Sequence, residues 1–217
     1  MTSGSCGRGR SDPHIHHDAH AGSVTQEVTS CPCAVTVVGR RALLAASLGV
    51  GLAPGTADAQ TDPARDRPKE GDLLVKAGDA VPTPLTPEGL QLGAGQVMAW
   101  PMDPAGNVVR NGSRLNKVLL VRLDPAVFDT QTAERAADGV VAYSAICPHT
   151  GCEVINWFSD RQVLECPCHN SQYDPKAGAR VLAGPSPRSL AALPLRVTDG
   201  KLTVARAFVG RLGIQQI

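Results

Sequence analysis

The sequence predicts an all-β fold, a small antiparallel sandwich or open barrel. From residue 72 onward, short apolar runs are broken by glycine, proline, asparagine and aspartate, as in strands separated by turns. No stretch shows the long 3.6-residue apolar period of an amphipathic helix. Asp199-Gly200 lies between two apolar runs and is a strong signal for a two-residue hairpin. Together these observations favour a sheet protein over a mixed or helical one.

The leader comes first along the chain. Arg40-Arg41 precedes an uncharged apolar run over residues 42–53, and an Ala-x-Ala pattern follows at residues 57–59. A basic start, an apolar centre and small residues at the exit are typical of a bacterial export signal, here of the twin-arginine type. The apolar run is shorter than the ~20 residues that span a bilayer. We therefore expect a periplasmic protein, with an uncleaved N-terminal anchor as the alternative.

The predicted organisation places an N-terminal extension and export signal at 1–59, a polar, proline-bearing linker at 60–71 and one domain at 72–217. Residues 125–137 are expected to hold a helical turn or two. The candidate strands span residues 73–76, 96–100, 117–123, 140–145, 163–165, 179–182, 193–198 and 201–207. A net charge of +1 and 3% aromatic residues argue against a nucleic-acid partner.

Cysteine and histidine are concentrated in two short segments of the mature chain. The chain has 7 Cys and 6 His, and those beyond residue 60 all lie at 147–152 (Cys-Pro-His-Thr-Gly-Cys) and 166–169 (Cys-Pro-Cys-His). Strands predicted to end at residues 145 and 165 deliver the two segments from neighbouring points of a β scaffold. This concentration predicts a metal site. A structural zinc site and two plain disulfides with uninvolved histidines are the alternatives that composition leaves open.

The pattern Cys-x-His-x-x-Cys, followed after thirteen residues by Cys-Pro-Cys-His, resembles the paired cluster loops of Rieske iron–sulfur proteins. The resemblance implies a [2Fe–2S] cluster in which Cys147 and Cys166 bind one iron. His149 and His169 would bind the other iron. It also implies a Cys152–Cys168 disulfide between the loops, and a cluster-binding subdomain at about 140–190 inserted into a larger β base.

The same resemblance implies roles for residues that would surround the cluster. Ser171 and Tyr173 match positions whose hydroxyls donate hydrogen bonds to sulfur in high-potential members of the family. The segment containing Gly184, Pro185 and Pro187 looks like the proline-rich loop that covers the cluster. Donors stabilise the more negative reduced state, so we expect a potential toward the high end of the Rieske range.

The resemblance implies an electron carrier, and the sequence contains no nucleophile–base constellation for chemistry of its own. The runs 141–149 and 209–213 resemble the small Rieske subunit of arsenite-oxidase-type molybdenum enzymes. Pro148 and Thr150 replace the Thr and Leu common in quinol-oxidising complexes. We therefore expect a small subunit of a periplasmic oxidoreductase that passes electrons to a cytochrome-type acceptor.

Two other functions are known for chains with such loops. The Rieske subunit of a membrane quinol–cytochrome c oxidoreductase is the alternative. A ring-hydroxylating dioxygenase component is disfavoured, because a terminal component needs further histidines for a mononuclear iron site and the mature chain has none to spare.

Overall fold

The computed structural model describes residues 62–214, and they form an almost entirely antiparallel β structure, as the sequence predicts. The predicted leader at 1–59 lies outside the described residues. No helix within 62–214 is long and apolar enough to cross a membrane. The only α-helix in this part of the chain is the single turn α1, Thr130–Ala133.

Eleven strands and three short 3₁₀ turns make up the rest of the regular structure between residues 62 and 214. The strands are β1 (Leu73–Lys76), β2 (Val97–Asp103), β3 (Val108–Val109), β4 (Val118–Arg122), β5 (Val140–Ser144), β6 (Asn156–Phe158), β7 (Val163–Cys166), β8 (Ser171–Asp174), β9 (Arg180–Ala183), β10 (Leu195–Thr198) and β11 (Lys201–Val204). The 3₁₀ turns are Pro63–Arg65, Arg114–Asn116 and Pro125–Val127.

The strands form two sheets. The base sheet has seven strands in the order β10-β11-β1-β2-β4-β5, with β3 added against β2. The second sheet has the order β6-β7-β8-β9, and all of its residues lie between β5 and β10 in the chain. The β10–β11 hairpin turns at Asp199 and Gly200, whose φ values of 51° and 73° are those of the predicted two-residue turn.

The first four residues of strand β4 are all apolar because both faces of the strand are buried there. Leu119 and Val121 belong to one core cluster, whereas Val118 and Leu120 belong to a second cluster on the opposite face. Successive side chains of a strand point to opposite faces, so a strand covered on both sides reads as a continuous apolar run. The first of these clusters also contains the two cysteines predicted as iron ligands. The core therefore extends directly beneath the loops.

The segment predicted as a linker is hydrogen-bonded to the β base from residue 63 onward. The amide of Gly112 donates to the carbonyl of Ala64 (2.9 Å), and the side-chain amide of Asn116 donates to the carbonyl of Asp66 (2.7 Å). The guanidinium of Arg110 donates from Nε and Nη2 to both carboxylate oxygens of Asp72, at 2.6 and 3.0 Å. These contacts hold residues 62–72 against the domain rather than leaving them as a free tether.

Candidate metal centre

The first loop follows β5 and is closed by its own backbone. The amide of Cys147 donates to the carbonyl of Cys152 (2.8 Å), and the amide of Gly151 donates back to the carbonyl of Cys147 (3.0 Å). Cys147 is buried, and His149 is partly exposed. The turn thus directs the cysteine toward the core and leaves the histidine near the surface.

The second loop is the hairpin between β7 and β8. Cys166 is the last residue of β7 and pairs with Ser171, the first residue of β8, so residues 167–170 form the turn. Cys166 is buried, whereas Cys168 and His169 are exposed. This arrangement repeats that of the first loop, with one thiol in the core and one imidazole at the surface.

A disulfide joins the two loops. Cys152 and Cys168 are bonded with an S–S distance of 2.06 Å, which is the pairing that the family resemblance implies. Their sulfur atoms lie within 4.8 Å of the Cys166 sulfur, a grouping that could suggest a three-cysteine metal site. Two of those sulfurs are consumed by the disulfide and offer no thiolate. The free cysteines in the described residues are Cys147 and Cys166, both buried.

The two histidines meet across the loops. Their ring centroids are 4.5 Å apart with an interplanar angle of 88°. Nδ1 of His149 is buried and has no hydrogen-bond partner within residues 62–214. A buried polar atom without a partner is rare and needs an explanation, and a neutral imidazole nitrogen is a metal ligand. The site therefore fits a bound metal group that would take this nitrogen as a ligand.

The surroundings of the two thiols differ in their donors. Burial raises the pKa of the Cys166 thiol, and backbone N–H groups of Cys168 and His169 partly oppose that rise. The hydroxyl of Tyr173 lies 3.1 Å from Sγ of Cys147, and the tyrosine is fully buried. Burial also raises the pKa of Tyr173. The phenol therefore stays protonated and can donate a hydrogen bond to the sulfur.

The proline-rich segment lies against the second loop. The amide of Ser186 donates to Oγ of Ser171 at 3.2 Å. Ser171 is buried, and its own hydroxyl proton has no acceptor within the described residues. Pro185 and Pro187 are exposed. Ser186, which the sequence did not single out, thus connects the segment to Ser171.

We expect Gly184→Ala to disrupt this contact. Gly184 has φ of +86°, and an added Cβ would lie 2.5 Å from Cα of Ser171. Gly200 also has positive φ (+73°), but a Cβ added there would meet nothing within 4 Å, so Gly200→Ala is the matched control. The control should lower the free energy of unfolding by about 1 kcal/mol, and Gly184→Ala by more than about 2 kcal/mol. Chemical denaturation measures both, and equal losses would contradict the packing role.

The β scaffold thus holds two buried free thiols and two imidazoles on loops that a disulfide links. This arrangement is typical of proteins that bind a metal or an iron–sulfur centre through mixed cysteine and histidine ligands.

Comparison with known proteins identifies the family. The family model for the Rieske [2Fe-2S] domain matches residues 104–194. The cytochrome bc1 complex Rieske iron-sulfur subunit of Streptomyces lividans is 32% identical over 133 residues, which cover 60% of this chain and 76% of that protein. A putative respiratory nitrate reductase subunit Rieske from Haloferax mediterranei is 39% identical over 106 residues, 48% of this chain and 47% of that protein. The chain belongs to the Rieske family.

Other relatives are matched over smaller parts of their length. The cytochrome b6-f complex iron-sulfur subunit of Synechococcus elongatus is 39% identical over 79 residues, 36% of this chain and 41% of that protein. The chain thus spans less than half the length of this relative and of the Haloferax relative. Among solved structures, the soluble domain of Rieske protein II from Sulfolobus acidocaldarius aligns with a TM-score of 0.34 and 21% identity, covering 46% of this chain and 67% of that one.

Membership decides between the cofactors that composition left open. The protein is an iron–sulfur electron-transfer protein whose cofactor is a [2Fe–2S] cluster bound by cysteine and histidine. Such a cluster, when bound, accepts and releases one electron at potentials of roughly −150 to +300 mV. The chain's own residues supply the ligands, the apolar base and the donors around them.

Proposed function

We propose that Cys147 and Cys166 bind one iron of the cluster and that His149 and His169 bind the other. The observation that carries this assignment is the division of the four cysteines, since the disulfide leaves only these two thiols free within residues 62–214. The partnerless Nδ1 of His149 and the adjacent imidazole of His169 support it. In this proposal residues 72–217 are the Rieske domain and about 140–190 its cluster-binding part.

We further propose that the protein is the small subunit of a periplasmic oxidoreductase and passes electrons to a cytochrome-type acceptor. The Haloferax relative, described as a nitrate reductase subunit, supports an oxidoreductase setting. Pro148 and Thr150 stand where quinol-oxidising complexes commonly have Thr and Leu. The leader predicted at 1–59 supports export, with membrane association only through an uncleaved N-terminal segment.

The alternative is the Rieske subunit of a membrane quinol–cytochrome c oxidoreductase. It is favoured by the Streptomyces bc1 relative, whose match is longer than that of the Haloferax protein and covers 76% of the relative's length.

Native purification separates the two. The full chain, carrying an affinity tag after residue 217, is expressed in its own host, and the complex is recovered in mild detergent. A co-purifying molybdopterin-containing or other catalytic subunit is the expected result. Stoichiometric b-type haem and sensitivity of reduction to quinol-site inhibitors would establish the alternative and contradict the first proposal. The His169→Ala chain, purified in parallel, shows which cofactor signals depend on this subunit.

Tyr173→Phe is expected to lower the midpoint potential of the protein. The hydroxyl 3.1 Å from the Cys147 sulfur stabilises the more negative reduced state, and its removal loses that preference. A donor to a charged acceptor contributes about 1.5 kcal/mol, which for one electron corresponds to a decrease of roughly 60 mV. Ser171→Ala should also lower the potential. The hydroxyl proton of Ser171 has no acceptor in the described residues, so it would be free to donate a hydrogen bond to a sulfur of the bound cluster and stabilise the reduced state.

Tyr143→Phe is the matched control for this redox titration. Tyr143 is the other tyrosine of the chain and is equally buried, but its hydroxyl donates to the carbonyl of Pro175 at 2.7 Å. Its removal should leave the potential unchanged. Equal shifts in the Tyr143 and Tyr173 variants would remove the specific role assigned to Tyr173.

A further inference from the structure

Two adjoining cavities of the domain share Arg211 in their linings. The first, of about 550 Å³, is also lined by Arg114, Thr150 and Gly151. The second, of about 350 Å³, is also lined by Arg135 and Arg188. We call the two cavities together the arginine groove. Arg114 and Arg211 are exposed, and the other two arginines are partly exposed.

Within residues 62–214 the groove has a net positive charge, because four arginines and one aspartate line it. None of its four arginines forms an ion pair with a carboxylate within residues 62–214. Asp129 is the one acidic residue among the described residues of the lining, and its Oδ1 accepts a hydrogen bond from the Thr132 amide at the start of α1 (2.7 Å). Two N–H groups of Arg188, at Nε and Nη1, have no acceptor in the described residues. By contrast, the net charge of the whole chain is only +1.

The groove adjoins the first cysteine–histidine loop. Thr150 and Gly151 belong to both the loop and the groove lining, and they directly follow His149. The side chain of Arg114 donates a hydrogen bond to the carbonyl of Gly151. A molecule bound in the groove would therefore contact the loop that carries one of the proposed histidine ligands.

We propose that the arginine groove is the docking surface for an acidic segment of the electron-transfer partner protein. The arginines are distributed over two cavities rather than directed at one point, which suits a chain of several carboxylates better than a single small anion. Complementary charge steers association and fixes the orientation of the partner. This inference rests on the proposed electron-transfer function and adds the chemistry of the partner's surface.

The test measures binding of a hexaglutamate peptide to the full-length holoprotein by titration calorimetry, with an uncharged hexaglutamine peptide as reference. We expect hexaglutamate to bind more tightly than hexaglutamine at low ionic strength, and its affinity to fall as salt screens the charges.

The double variant Arg135→Glu/Arg211→Glu should bind hexaglutamate about tenfold more weakly than the wild type. Neither side chain has a hydrogen bond or ion pair in the described residues. Lys201→Glu reverses the charge of an exposed residue at the start of β11, outside the groove lining, and should leave affinity unchanged.

Equal binding of the two peptides, or equal affinity in the groove and Lys201 variants, would overturn the proposal. Inorganic phosphate that binds as tightly as the peptide and displaces it would assign the groove to small anions and would also overturn it. The visible spectrum recorded on each sample reports the cluster separately. Failure of the proposed function would be seen as a protein without a cluster. Failure of the docking proposal would be seen as a protein with an intact cluster and no preference for the acidic peptide, so the two outcomes are distinguishable.

Discussion

His169→Ala is expected to yield a folded protein that does not retain the iron–sulfur cluster. The histidine is exposed at the turn between β7 and β8, so its truncation removes a ligand without opening the core. His149→Ala, Cys147→Ser and Cys166→Ser should have the same effect on the cluster. The two cysteine variants should also destabilise the fold, because they place a hydroxyl in the apolar core. Iron content and visible absorption measure the loss, and circular dichroism verifies that the sheets remain.

Cys152→Ser and Cys168→Ser provide the matched comparison, since they replace cysteines of the same two loops that are not proposed as ligands. Both variants should acquire iron during assembly. If His169→Ala retained a normal cluster, or if all four cysteine variants lost iron equally, the division into ligands and disulfide would be wrong.

The second large effect is on stability. The disulfide joins residues 16 positions apart, and closing a loop of about this length stabilises a fold by about 3 kcal/mol in the chain-entropy model. We expect Cys152→Ser to lower the free energy of unfolding by about that amount. It should also lose its cluster faster during mild heating, because the two loops can then separate. The double variant Cys152→Ser/Cys168→Ser should be no less stable than the single one.

Denaturant titration of the wild type with its disulfide intact and with its disulfide reduced measures the contribution of the disulfide to the free energy of unfolding independently. The wild type with a reduced disulfide should be as stable as the Cys152→Ser variant. A Cys152 variant as stable as the wild type, with a cluster lost no faster, would show that the disulfide does not brace the loops.

Most of the strands could be predicted from the sequence because they bury apolar side chains. β4, which is covered on both faces, is the clearest case. β8 was missed for a physical reason. Its sequence Ser-Gln-Tyr-Asp has no apolar alternation, yet three of its four residues are buried. Tyr173 places its hydroxyl at a cysteine sulfur and Ser171 accepts from Ser186, so polar groups of the site take the place of the usual strand pattern.

The candidate site was predictable because its residue types lie in two local motifs. The contacts that support it were not. Asn116 and Asp66 are 50 positions apart, and the hydrogen bond from the Asn116 side chain to the Asp66 carbonyl holds part of the segment predicted as a linker. The four groove arginines come from separate parts of the chain and meet only in the folded domain. Local patterns carry no information about such distant partners.

The central claim is that these two loops hold a [2Fe–2S] cluster through two cysteines and two histidines. Metal analysis of the purified full-length protein, combined with electron paramagnetic resonance after reduction, tests it most directly. We predict one cluster per chain, with iron and labile sulfide in equal amounts and an average g value below that of the free electron. Stoichiometric zinc without iron would contradict the account.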